Sequence, residues 1–155
     1  MGFNIVVDDY FSIGDVLKVG DVTGKILEIG LKVTKLRDVN NNNILVISNR
    51  SISQALKISN QLDLSIPLPY EEKVTKMEKI LEQAVLEIKK INNVLEVKYI
   101  GIDKFDDSAI NYKIRIQAKP EFQPQIKRDS NRIIKLLLDQ NKVDIPYMQI
   151  DIHSK

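Results

Sequence analysis

The sequence predicts an α+β protein: a small β-barrel-type domain followed by a two-layer domain of order β-α-β-β-α-β. Three observations predict it. Closely spaced short strands divided by glycine run from Gly14 to Asn49. Two stripes of apolar residues at helical spacing follow in the second half. Composition also shifts midway, with five of the six glycines at or before Gly30 and all five prolines at or after Pro67. Two separately built domains leave such a shift. The boundary falls near Asn60 to Leu62, where ISNQLD interrupts the apolar pattern, giving domains 1–61 and 62–155.

In the first domain, Val16 to Val19 leads into a Gly20-Asp21 turn. Gly24 opens the strand Lys25 to Ile29, and Gly30 precedes Lys32 to Arg37. The polar run Asn40 to Asn43 separates that strand from Ile44 to Ile47. Apolar residues two apart, β-branched enrichment and Gly/Asn boundaries are the strand-and-hairpin signal. Ser51 to Ile58 fits a last strand or a helical turn, and periodicity does not decide between them. Strands this closely spaced hide their edges only by closing up or by pairing with a neighbour.

In the second domain, Leu62 to Leu68 is a short strand stopped by Pro67 and Pro69. A helix is expected over Glu71 to Ile91, its inward stripe being Val74, Met77, Leu81, Ala84, Ile88 and Ile91. Glu71 and Glu72 suit its positive end and Lys89 and Lys90 its negative end, and Asn92-Asn93 closes it. Strands Val94 to Ile102 and Ala109 to Ala118 follow, joined by a polar turn from Lys104 to Asp107. Pro120 and Pro124 introduce a second helix ending near Asn141, with Ile126, Ile133, Ile134, Leu137 and Leu138 inward. Met148, Ile150 and Ile152 alternate with Gln149, Asp151 and His153, a half-buried terminal strand over 148–153. This order is that of a ferredoxin-like sandwich, with a helix pair on one sheet face.

Composition bounds the function. At 155 residues, 43% hydrophobic and 28% charged, the chain is an ordinary globular sequence. A net charge of +2 is too small to argue for nucleic acid. With no cysteine there is no disulfide framework and no thiolate chemistry. No apolar run approaches the roughly 20 residues that span a bilayer. The start, MGFNIVV, lacks the basic and apolar regions of a signal peptide, and Val6 stands where myristoylation expects Ser or Thr.

Little in the sequence invites chemistry. His153 is the only histidine and sits three residues from the end, without a scaffold to supply partners. Asp8-Asp9 and Asp106-Asp107 are adjacent carboxylates, which on a strand point to opposite faces and in loops are solvated turns. The GDVTG segment from Gly20 to Gly24 lacks the Lys-Ser/Thr of a phosphate loop and opens no helix, so these are turn glycines. No catalytic residue, metal site or cofactor site is expected. Small barrels and ferredoxin-like sheets do bind RNA, but Ile110 to Gln117 offers Tyr112 alone for base stacking. Lys25, Lys32, Lys35 and Arg37 read better as a solvated strand face than as a nucleic-acid patch.

Gly14-Asp15, Val19-Gly20, Gly24 with Ile26, Thr34 with Leu36-Arg37, and Ile47-Ser48-Asn49 form a series of short motifs along the first domain. In their order and spacing the domain resembles the middle β-domain of the small-conductance mechanosensitive channel family. Three positions depart from it. Ser48 stands where proline is usual, Lys32 where arginine is common, and Val39 with four asparagines where an Asp-Gly turn is usual. The resemblance returns at Ser108 to Tyr112 and at the end, where Pro146, Tyr147, Gln149 and Asp151 match and Met148 replaces a second proline. It implies an Sm-like β-domain followed by the family's carboxyl-terminal α+β domain.

By that resemblance, seven copies form a hollow cytoplasmic vestibule below the pore of an inner-membrane channel. The membrane helices lie outside this chain, and ions and small solutes pass through side openings. No enzyme activity, cofactor or nucleic-acid partner is implied. The terminal strands join into a small parallel barrel, one strand per subunit, unless each completes its own sheet. Asp63 and Lys104 occupy places similar to charged positions at the family's portals, though ordinary surface charge explains them equally well. The alternative is a soluble binding or regulatory module that recognises a small ligand or RNA.

Overall fold

The computed structural model describes residues 10–52 and 54–146. The protein is α+β, and the chain divides into two compact units. The first holds the residues up to Asn60 together with Lys119–Pro124, and the second holds Gln61–Ala118 and the residues from Gln125 onward.

The first unit is one five-stranded antiparallel sheet in the order β4-β3-β2-β1-β5. Its strands are β1 Val16–Val19, β2 Val22–Ile29, β3 Val33–Asp38, β4 Ile44–Ser48 and β5 Leu56–Lys57. A four-residue helix α1, Asn49–Ile52, joins β4 to β5. The segment left open between strand and helical turn is thus both, a turn of helix and then two residues paired to β1 through Leu17 and Lys18. Period-two alternation sends Leu17, Ile26 and Leu36 inward, where they pack with Phe11 and Ile52. Val19, Ile29, Leu45 and Ile47 close over that cluster. β1 and β2 meet in a two-residue hairpin at Gly20-Asp21, and Gly20 has φ +60, the left-handed value that its first position needs. The asparagine run replaces an Asp-Gly turn by the same physics. Asn42 takes φ +62, while Asp38 and Asn41 side chains accept from the amides of Asn40 and Asn43.

The second unit is a three-stranded antiparallel sheet, β6-β8-β7, with helices packed on one face. Its elements are β6 Gln61–Leu68, α2 Val74–Ile88, β7 Glu96–Phe105, β8 Ile110–Gln117 and α3 Gln123–Gln140, whose first two residues belong to the first unit. A short 3-10 turn, Pro120–Phe122, precedes α3. Leu64, Ile66 and Leu68 of β6 and Tyr112, Ile114 and Ile116 of β8 are buried. So are Met77, Leu81, Ala84 and Ile88 of α2, and Ile134, Leu137 and Leu138 of α3.

Several boundaries differ from the sequence expectation. α2 begins at Val74 and ends at Ile88, so Glu71, Glu72, Lys89 and Lys90 flank it and do not occupy its end turns. Val74 is exposed and Ile91 half-buried, while Ile80 and Val85 are buried beside the expected stripe. The buried face is wider than a 3-4 stripe because a helix lying on a sheet covers more than one ridge. Ile133 is only half-buried. Lys104 lies in β7 opposite Asn111, because the strand runs on through Phe105 and only Asp106 to Ala109 turns. α3 ends as expected, with Lys142 at φ +58 and the Val143 amide donating to the Leu138 carbonyl. The expected terminal strand 148–153, with Tyr147, Gln149 and His153, lies outside the described residues.

Candidate functional site

The motif residues of the first unit form a structural network. The Thr34 hydroxyl donates to Asn49 Oδ1 at 2.7 Å, with both residues buried. Asn49 Nδ2 donates to the Gly30 carbonyl at 2.9 Å, and the Asn49 amide to the Lys32 carbonyl at 2.9 Å. One asparagine therefore ties the end of β4 to the β2–β3 turn. Ser48, the departure from proline, accepts the Arg50 amide at 3.2 Å, so its hydroxyl caps the α1 turn that follows.

At the other end of the sheet, the Gly14 amide donates to the Ile26 carbonyl and the Ile26 amide to the Asp15 carbonyl. Gly14 has φ +97, which disfavours any other residue there. Asp15 Oδ2 accepts the Ser12 amide at 3.0 Å and pairs with Lys57 Nζ at 3.3 Å. A Cβ on Gly24 would stand 2.9 Å from Leu36 Cβ and 3.2 Å from the Arg37 carbonyl, so glycine here permits close cross-strand approach. Arg37 is exposed, makes no ion pair among the described residues, and lines a cavity of about 210 Å³ with Lys25, Asp38, Asn42 and Glu121. Pro146 closes the described chain, half-buried.

The second unit carries a charged sheet face. The register sets Asp63 opposite Arg115, and the guanidinium grips the carboxylate through two bonds of 2.9 and 3.1 Å. Lys113 lies 3.9 Å from Asp63 and 3.3 Å from Asp103, extending the line of charge across β6, β8 and β7. Lys104 does not join it. Its carboxylate neighbour is Asp106, at 3.6 Å. The structure therefore separates the two residues expected at the portals. Sequence reading missed Arg115, Lys113 and Asp103. Alternation in INYKIRIQ places the two cations on one face, but only strand register identifies the carboxylates they meet.

The hydrogen bonds from Arg115 hold the Asp63 carboxyl below its ordinary value of 3.8, against the opposing effect of partial burial. Asp63 raises the Arg115 guanidinium in turn, chiefly through the same bonds. Burial pushes up the phenols of Tyr99, which donates to Glu78 at 2.6 Å, and of Tyr112. A carboxyl depressed in the folded state leaves the unfolded chain to bind the proton first as pH falls. The stabilisation by Asp63 is thus complete above pH 3.8 and is lost as pH drops through the lower folded value. Asp63→Asn should be less stable than wild type at neutral pH, and the gap should narrow on acidification below about pH 4. Urea unfolding at several pH values measures it, and a gap independent of pH would contradict the assignment.

Among the described residues, no three or more acidic or histidine side chains gather to hold a metal ion. No helix there is long and apolar enough to cross a membrane.

The two units follow the layout of a family of pore-forming proteins. Residues 1–61 match the family described as mechanosensitive ion channel, beta-domain, and residues 62–145 match the mechanosensitive ion channel MscS, C-terminal. The chain belongs to the MscS mechanosensitive channel family, which is a family of channels and not of enzymes. A small-conductance mechanosensitive channel of Caldanaerobacter subterraneus is 28% identical over 151 residues, covering 94% of this chain and 53% of that protein. One from Helicobacter pylori is 24% identical, over 99% of this chain and 58% of that protein. The chain thus spans about half the length of the curated relatives it matches. In fold it is similar to the closed-state crystal structure of Helicobacter pylori MscS, with a TM-score of 0.71 at 23% identity, covering 99% of this chain and 64% of that one. Arabidopsis thaliana MSL1 gives a TM-score of 0.55 at 16% identity, over 96% of this chain and 57% of that one.

Proposed function

We propose that this chain is the cytoplasmic vestibule region of a small-conductance mechanosensitive channel. Seven copies assemble into a ring below the pore of an inner-membrane protein that opens under osmotic stress, and the ring guides or filters ions and small solutes. The observation that carries the reading is the margin of the first sheet. Among the described residues β4 has no strand on its outer side, and its outward residues Ile44 and Val46 are 52% and 55% exposed. An apolar edge strand of this kind asks for a partner of matching shape, and identical copies supply one. Asp63 and Lys104 line side openings between subunits.

Two measurements test this. The chain at modest concentration should run as a ring of seven in native mass spectrometry, and Val46→Lys on β4 should shift it toward smaller species. The full-length protein in excised patches should open under suction, with reversal potentials shifted by Asp63→Lys or Lys104→Glu. A chain that stays monomeric at every concentration, in a full-length protein silent under tension, would leave the soluble binding module as the better reading. Unchanged reversal potentials would remove Asp63 and Lys104 from the ion path and leave the ring standing.

A further inference from the structure

The first unit contains a cavity of about 440 Å³ that the vestibule reading does not use. Its size falls within the range of small-molecule sites. One wall is apolar, formed by Ile13, Val16 and Ile58 with Pro120. The rest is charged, with Lys25, Lys57, Lys119, Asp15 and Glu121. Both carboxylates are already engaged. Glu121 accepts Lys25 Nζ on its two oxygens, each at 3.1 Å, and Asp15 Oδ2 holds Lys57 at 3.3 Å and the Ser12 amide at 3.0 Å. Those pairs leave Lys119, exposed and without an ion pair among the described residues, as the one lining cation that no carboxylate balances. Among the described residues the cavity therefore presents one net positive charge beside an aliphatic wall.

We propose that this cavity binds a small organic anion, a carboxylate on a short aliphatic stem, with Lys119 as the residue that reads its charge. The sign follows from the pairing. A cationic ligand would share carboxylates that Lys25 and Lys57 already neutralise, whereas an anion meets Lys119 directly. The stem lies along Ile13 and Ile58, removing their apolar surface from water. This site stands apart from the channel reading and does not depend on it.

Isothermal titration of the chain with butyrate tests the proposal, with inorganic phosphate and butylammonium as comparison probes. Saturable binding of one butyrate per chain is expected, weakening as salt is added. Lys119→Glu should weaken it about fivefold or more, while Lys127→Glu, outside the cavity, should leave it unchanged. Lys119→Gln removes the charge without reversing it and keeps the test available if the reversal disturbs folding. No saturable butyrate binding, equal binding by Lys119→Glu, or tighter binding of butylammonium would overturn the proposal. Phosphate binding as tight as butyrate would overturn the role given to the apolar wall.

Discussion

Replacing Asn49 by alanine should lower the stability of the first unit by about 2–3 kcal/mol, since each buried polar group left without its partner costs about 1–3 kcal/mol. The side chain accepts from the Thr34 hydroxyl at 2.7 Å and donates to the Gly30 carbonyl at 2.9 Å. Truncation leaves the buried hydroxyl without an acceptor and the carbonyl without that donor. Thr34→Val removes the hydroxyl and so one of the two orphans. The double variant should therefore cost less than the sum of the singles, with coupling of about 1 kcal/mol. Urea unfolding at one fixed protomer concentration measures all four forms, because assembly contributes to apparent stability. Strict additivity of the two substitutions would mean that the bond carries no stability.

Gly24→Val should cost about 2–3 kcal/mol, at the upper end of what overpacking usually costs. A first side-chain carbon would already stand 2.9 Å from Leu36 Cβ and 3.2 Å from the Arg37 backbone oxygen. Neither neighbour can yield. Leu36 is fully buried among Leu17, Ile26 and Ile52, and the carbonyl belongs to a paired strand. Valine is otherwise a good strand residue, so propensity alone predicts a gain. The sign of the measured change therefore separates local preference from cross-strand crowding. The shift in urea midpoint reads it, and a stabilised variant would mean that β2 and β3 can part without loss.

How much was legible depended on whether a residue's task is local. The hairpin at Gly20-Asp21 could be placed from sequence because left-handed φ is a property of one residue. The asparagine turn was located by its polar run, but that Asn42 takes the positive φ emerged only from the backbone. The inward positions Leu17, Ile26 and Leu36 follow from period two, which needs no knowledge of the partner strand. α2 was overextended by three residues at each end, because charged residues compatible with a helix terminus also suit the turn outside it. Lys104 was placed in a turn because Asp103, Asp106 and Asp107 surround it in sequence, yet β7 runs on through Phe105 to an exposed strand end. The family motif pointed to Thr34 and Asn49, but not to their contact across 15 residues of chain.

By itself the sequence determined the α+β class, the spacing of the strands, the inward positions of the first three strands and the family to which the chain belongs. All of these rest on periodicity, turn chemistry and motif order, which act over a few residues at a time. The tertiary structure decided which charges meet. It paired Asp63 with Arg115 and Lys113, kept Lys104 apart from them, and left Lys119 without a carboxylate beside a cavity. Electrostatic interactions fall off over a few ångströms in water and salt, so they answer to distance in space and not to distance along the chain.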